Sequence, residues 1–157
     1  MNDNDAMLKV LEYAKFSLEN DRYPAHSILV NKYGEVIAQS PNLSISENDP
    51  TAHSEILTIR EASKKIKTLD LSGLTLYTAI EPCMMCISAC SWSKIKRIVY
   101  ALGKDKLAPE DFESNINSKE ITTRLNSYIE LIHLPQHEQR MIDLVGIWQD
   151  RLKRYWK

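Results

Sequence analysis

Histidine and cysteine are scarce in this chain of 157 residues, with four of the first and three of the second. Three cysteines, two of them in a C-x-x-C, do not make a secreted disulfide framework. They point instead to a metal site or a redox pair in a reducing compartment. Long apolar runs are missing too. No stretch approaches the roughly 18 apolar residues a membrane span needs, and no N-terminal run resembles a signal peptide, so a soluble cytoplasmic protein with no membrane partner is expected. Neither sign of charge is in excess. The formal net charge of -1 gives no whole-chain footprint for nucleic acid and leaves only a local patch to serve one. Repeats, low-complexity tracts and linkers are absent. What is present, 43% hydrophobic and 26% charged residues, is the composition of one compact domain over residues 1–157, able to bury a core without disulfides.

Apolar residues along the chain switch between helical and strand periods. Met7, Val10, Leu11, Ala14 and Leu18 recur at helical spacing, so residues 4–20 read as an amphipathic helix. "SILVNKYGEVIAQS" reads as two strands joined by a hairpin turn around Lys32 to Glu35. "SPNLSISENDPT" is a loop by composition, and it ends where Ile56, Ile59, Ala62 and Ile66 begin a helix that Asp49, Thr51 or Ser54 could cap. "LTLYTAI" is a strand, "EPCMMCISACSWSK" a tight entry into a helix, and "RIVYAL" the next strand. This β-α-β-α-β order suggests layered α/β with crossover connections. Residues 103–127 are polar and poorly periodic, a loop with one short helix around Pro109 to Asn115. "YIELIHL" is a last strand, and Met141, Leu144, Val145, Trp148 and Leu152 make the apolar stripe of a C-terminal helix. The closing "RLKRYWK" adds basic charge.

"TAHSE" at 51–55 and "EPCMMC" at 81–86 carry the chemistry. A catalytic zinc site commonly takes three protein ligands and leaves a fourth position for water, and His53, Cys83 and Cys86 supply such a set. Two cysteines spaced C-x-x-C on a first helical turn can converge on one ion, and the positive helix end favours their thiolates. Glu55, two residues from His53, would lie beside the metal without binding it, placed to take a proton from water and hand it to a substrate nitrogen. Each residue has a plainer alternative. A lone C-x-x-C is often structural zinc or redox chemistry. Glu55 alone is an ordinary helix N-terminal carboxylate, Asn42 a turn residue and Trp92 a core residue. Cys90 reads as a small buried residue, since a fourth thiolate would close the site to water. Met84 and Met85 read as packing, and His133 and His137 as surface or capping residues.

H-x-E followed by P-C-x-x-C is the signature of zinc deaminases. The chain resembles the cytidine deaminase-like superfamily, in the branch of guanine deaminases and bacterial tRNA adenosine deaminases, and "NDPTAHSEILTIREA" and "LYTAIEPCMMCISAC" resemble that branch over whole segments. The resemblance implies a three-layer α-β-α fold with a mixed central sheet of about five strands flanked by helices. It implies one zinc ion per chain with a bound water or hydroxide, His53, Cys83 and Cys86 as ligands, and Glu55 as proton shuttle. The reaction implied is hydrolysis of an exocyclic amine to a carbonyl with release of ammonia. Asn42 matches an asparagine that bonds the substrate base in this branch, and the backbone amide of Ser54 would lie near the reacting oxygen.

Trp92 resembles an aromatic of guanine deaminases, and Asp105 lies within about a residue of an aspartate close to the pocket in relatives. The clearest departure is "YPAHSILV". Relatives usually carry Gly-Ala where this chain has His26-Ser27, beside the expected pocket, so His26 would narrow it or read a different base edge. A small nucleobase or nucleoside is the expected substrate, with guanine leading. A tRNA wobble adenosine is the alternative, disfavoured by the near-neutral charge, and a non-catalytic zinc-stabilised protein on the same fold is a third reading that does not need Glu55. A homodimer is implied by the resemblance only.

Overall fold

The structure, a computed structural model, describes residues 1–155 and the side chains of residues 1–152. The basic charge expected of Lys153, Arg154 and Lys157 lies outside the described side chains. Helix α1 (Asp3–Glu19) starts at Asn2, whose Oδ1 accepts from Asp5 N at 2.9 Å, and it buries the stripe Ala6, Met7, Val10, Leu11, Ala14 and Leu18. Strands β1 (His26–Asn31) and β2 (Val36–Pro41) form the expected antiparallel hairpin. Gly34 makes the turn possible: its φ is +81°, and a Cβ there would come within 2.5 Å of the Met1 nitrogen.

Helix α2 (Ser54–Ile66), β3 (Leu74–Ile80), α3 (Met84–Trp92), β4 (Arg97–Leu102), α4 (Ser118–Thr123), β5 (Glu130–His133) and α5 (Glu138–Tyr155) follow. The sheet runs β2-β1-β3-β4-β5. Its β2-β1-β3 half is antiparallel, and its β3-β4-β5 half parallel, the strands there being joined by helical crossovers. This is the expected mixed five-stranded sheet flanked by helices.

The period of two along β1 assigns its residues to two different layers. Ile28 and Val30 pack under α1 and α5 with Met7, Leu11, Val99 and Met141. Leu29 packs under α2 and α3 with Ile59, Leu76, Ile87 and Ile98. Each fully buried Leu, Ile or Met contributes about 1.5–3 kcal/mol, so both layers hold the sheet.

Residues 103–127 differ from expectation. The segment around Pro109 to Asn115 is only a 3-10 turn at Pro109–Asp111, preceded by another at Lys104–Lys106. The α-helix there is α4, capped by Asn117, whose Oδ1 accepts from Glu120 N at 2.8 Å. Six residues are too few for a periodic signal, and Asn117-x-x-Glu120 was the only local cue.

Candidate active site

Two helix starts meet above the sheet. His53 occupies the N-cap position of α2 and Cys83 that of α3, with Cys86 in the first turn of α3. Neither His53 nor Cys83 caps its helix through its side chain, so both side chains are free to face a common point. The loop into α2 is wound tightly: Asp49 Oδ1 accepts from Thr51 N and Thr51 Oγ1, and Leu43 N donates to Ala52 O. His53 Nδ1 lies 3.6 Å from Cys83 Sγ and 3.6 Å from Cys86 Sγ. A tetrahedral zinc with bonds of about 2.0 Å to imidazole and about 2.3 Å to thiolate separates N from S by about 3.6 Å. The triad therefore fits zinc without rearrangement, and all its ligand atoms lie within 4.8 Å of one another.

Charge in the triad supports this use. Cys83 is pushed down to about 5, first because the Cys86 thiol donates to it and then because His53 does. Cys86, donating and buried, is pushed up by the same contact. A thiolate is the ligand form that a soft or borderline cation takes. Glu55 is 7% exposed, in the first turn of α2. Burial, and after it the Cys83 charge, raises its pKa above the ordinary carboxylate value, while Ser54 Oγ donates to its Oε2 at 3.1 Å. Burial of this kind makes a carboxyl hold a proton more readily than an exposed one, which suits a group that takes a proton up and hands it on.

Above the triad is a cavity of about 70 Å³ lined by His53, Glu55, Cys83, Asn42, Tyr23, Asp111 and the apolar Ala25, Ile80, Leu107 and Phe112. Asn42 is both a turn residue and a pocket wall. Its Oδ1 accepts from Ser44 N (3.0 Å) and Ser44 Oγ (2.7 Å), which leaves Nδ2 as the donor it can offer a ligand. Burial, with the carboxylates of Asp111 and Glu55 adding, pushes the Tyr23 phenol upward, so it stays a neutral hydroxyl. Leu107, Asp111 and Phe112 form a roof carried by the irregular segment after β4. Glu81 pins that segment at both ends: its Oε2 accepts from Lys104 N (2.8 Å) and its Oε1 from Ser118 N (3.1 Å). A groove of about 790 Å³ abuts the cavity and shares Glu81, Leu107 and Phe112 with it.

Three expected substrate contacts lie elsewhere. His26 has the parity of Ile28 and Val30, so it points to the α1 layer, where it stacks on Tyr13 at 4.8 Å and hydrogen-bonds Gln39. It neither narrows the cavity nor borders it. Ser27 is the residue of that pair on the site's face, bonded to Ser54 and Thr78. Trp92, the last residue of α3, is 86% exposed beside Lys94 and Arg124, neither core nor part of this chain's cavity. Asp105 is exposed, pairs with Lys106 at 3.1 Å and borders only the wider groove. Asp111, six residues on, is the aspartate in the cavity. Tyr23, Leu107, Asp111 and Phe112 had no sequence signal, because they reach the site from loops without a period. Cys90 is fully buried in the α2/α3 core and outside the triad. His133 stacks on Tyr100 at 5.0 Å, and His137 Nε2 lies 2.8 Å from Asn4 Oδ1, so both serve packing.

Residues 1–102 match the cytidine and deoxycytidylate deaminase zinc-binding region. The chain is 40% identical over 114 residues to the tRNA-specific adenosine deaminase of Buchnera aphidicola subsp. Schizaphis graminum, 73% of this chain and 75% of that one. It is 38% identical over 98 residues to the guanine deaminase of Bacillus subtilis, 62% of each chain. Against the tRNA-specific adenosine deaminase of Haemophilus influenzae, 39% identical over 98 residues, the match spans 57% of the relative's length. Among solved structures, one from a study of tRNA:A34 deaminases acting at the wobble position superposes with a TM-score of 0.70 at 29% identity, covering 85% of this chain and 100% of that one. The guanine deaminase of Nitrosomonas europaea superposes with a TM-score of 0.84 at 24% identity over 95% of this chain and 85% of that one, a likeness of fold.

Proposed function

Because the chain belongs to the cytidine and deoxycytidylate deaminase zinc-binding family, we propose that it hydrolyses the exocyclic amine of a free purine base, guanine first, releasing ammonia. His53, Cys83 and Cys86 would hold the zinc, and the ion would make a bound water acidic enough to lose a proton near neutral pH. Glu55 takes that proton and delivers it to the departing nitrogen, and its raised pKa suits it to hold the proton between the two events. Leu107 and Phe112 exclude bulk water, and the C–NH2 bond gives way to C=O with water consumed and ammonia released.

The choice of base rests on one observation: the cavity offers a donor, Asn42 Nδ2, and an acceptor-only group, the Asp111 carboxylate. Guanine presents ring acceptors together with ring N–H groups. Adenine in a nucleoside presents only acceptors on its ring, and its N–H donors sit on the amine that leaves. A carboxylate at the rim of the pocket therefore has a donor to accept from in the first and none on the ring of the second.

A tRNA wobble adenosine is the second reading, favoured by the relatives of that name and by the groove beyond the cavity, where Lys104, Lys119 and Tyr128 could meet a nucleotide chain. Ammonia release by the zinc-loaded protein from guanine, adenine, cytosine, their nucleosides and an anticodon stem-loop separates the two. Guanine should lead by at least about tenfold; preference for the stem-loop, with affinity falling steeply in salt, would replace guanine by the second reading. The active form is a homodimer in this proposal. Apolar residues on all sides of the short α3, with its last residue Trp92 bare in the single chain, support it. A reducing cytoplasm suits three free thiols, and no described helix is long and apolar enough to cross a membrane.

A further inference from the structure

The roof of the cavity has little regular backbone to hold its shape. Its two turns, Lys104–Lys106 and Pro109–Asp111, are each closed locally, by Leu107 N to Lys104 O at 3.1 Å and by Phe112 N to Pro109 O at 3.3 Å. Among the described residues, no backbone hydrogen bond joins the first turn to the stretch from Phe112 to Asn117. Glu81 fixes the two ends of the segment, and Glu113 Oε1 accepts from Met85 N of α3 at 3.2 Å. These contacts anchor the segment without deciding which way Phe112 faces. One side chain spans the gap. Lys104 Nζ donates to Ser114 O and, at 3.1 Å, to Ile116 O, two carbonyls that accept from no backbone N–H, and it stands 4.5 Å from the centre of the Phe112 ring. An ammonium is a donor only, and its charge is drawn to the electron-rich face of an aromatic ring.

This placement bears on the cavity. Phe112 lines both the cavity and the wider groove, whereas Lys104 lines the groove alone. The ring is therefore a partition, with the ammonium on its groove side and the His53, Cys83 and Cys86 site on the other. Asp111, at the rim, is the residue before it. We propose that Lys104 is a positioning residue for substrate binding: by tying Ser114 and Ile116 back to the start of the roof and backing the Phe112 ring, it holds Phe112 against the cavity and Asp111 at its rim. This rests on the proposed deamination of a purine base at this site, in which Asp111 accepts from the ring N–H groups.

Lys104 is half-buried in a surface segment, so Lys104→Ala should fold and bind zinc as the parent does. KM for guanine should rise about fivefold or more, with kcat lowered by less than about twofold; Leu107, held through the backbone oxygen of Lys104, stays over the site. Because Lys104 acts partly through Asp111, adding Lys104→Ala to Asp111→Asn should raise KM by a smaller factor than it does in the parent. A crystal structure of the zinc-loaded Lys104→Ala protein reads the same point without substrate, and should show the Phe112 ring withdrawn from the cavity wall. An unchanged KM, an equal factor in both backgrounds, or Phe112 in its parent position would each overturn the proposal. A parent protein that releases no ammonia from any base would overturn the deaminase reading alone, and the position of Phe112 in the variant would still decide the role of Lys104.

Discussion

The floor and the roof of the cavity are built in opposite ways. The floor is two helix starts, which place His53, Glu55, Cys83 and Cys86 by regular backbone geometry over a packed sheet. The roof is an irregular segment that brings Leu107, Asp111 and Phe112 over the site and is pinned at both ends by one carboxylate, Glu81. The floor uses short spacings that chemistry dictates. The roof uses positions that no period or spacing requires. In the proposed function the reaction belongs to the floor and the substrate to the roof, as is usual where loops ride on a rigid scaffold.

The largest effect should come from breaking the floor. Cys83→Ala removes one of the three proposed ligands, so zinc content should fall from one per chain toward none, and the thermal midpoint should drop with it, as metal analysis and calorimetry would register. An unchanged zinc content would remove Cys83 from the metal site. Asp111→Asn tests the roof: the carboxylate becomes an amide of nearly equal size, and KM for guanine should rise about tenfold with kcat nearly kept.

A smaller change is expected for Glu81→Gln. Its amide group would set a donor against one of two backbone N–H donors, so hydrogen exchange at Lys104 and Ser118 should quicken and KM rise a few-fold, with zinc retained. Equal exchange in both proteins would mean that the roof is held by other contacts.

The smallest effect lies outside both parts. Burial pushes His26 down to about 4 from its ordinary 6.5, although its bond to Gln39 opposes the shift. Above about pH 6.5 the ring is neutral folded or unfolded and the shift contributes nothing. As pH falls from 6.5 toward 4, the unfolded chain takes up a proton that the folded one refuses, and up to about 3 kcal/mol of stability is lost. His26→Leu should therefore flatten the stability profile in that window while leaving turnover at neutral pH unchanged. A large loss of turnover would bring His26 back to the pocket.

The cluster of His53, Cys83 and Cys86 could be read in the sequence because H-x-E and C-x-x-C, each at a helix start, are short spacings that bring metal-ligand side chains to one point. The layers could be read because Leu, Ile and Val recur with period two or about 3.6. His26 was misplaced by reading it as a neighbour of the pocket; its shared parity with Ile28 and Val30 already assigned it to the other layer. Asp105 was named from its place along the chain, and Asp111 was not, because distance along an aperiodic loop says nothing about direction in space. Trp92 ends α3 two residues after the buried Cys90, off the face that Cys86, Ile87 and Cys90 share, and a helix of nine residues that is apolar nearly throughout does not announce which face is covered.

The claim that the floor carries the reaction is tested most directly by Glu55→Gln, with zinc and ammonia release measured on the same preparation. The predicted result is one zinc per chain, as in the parent, with turnover lower by about 100-fold or more. Full turnover with zinc in place would contradict it.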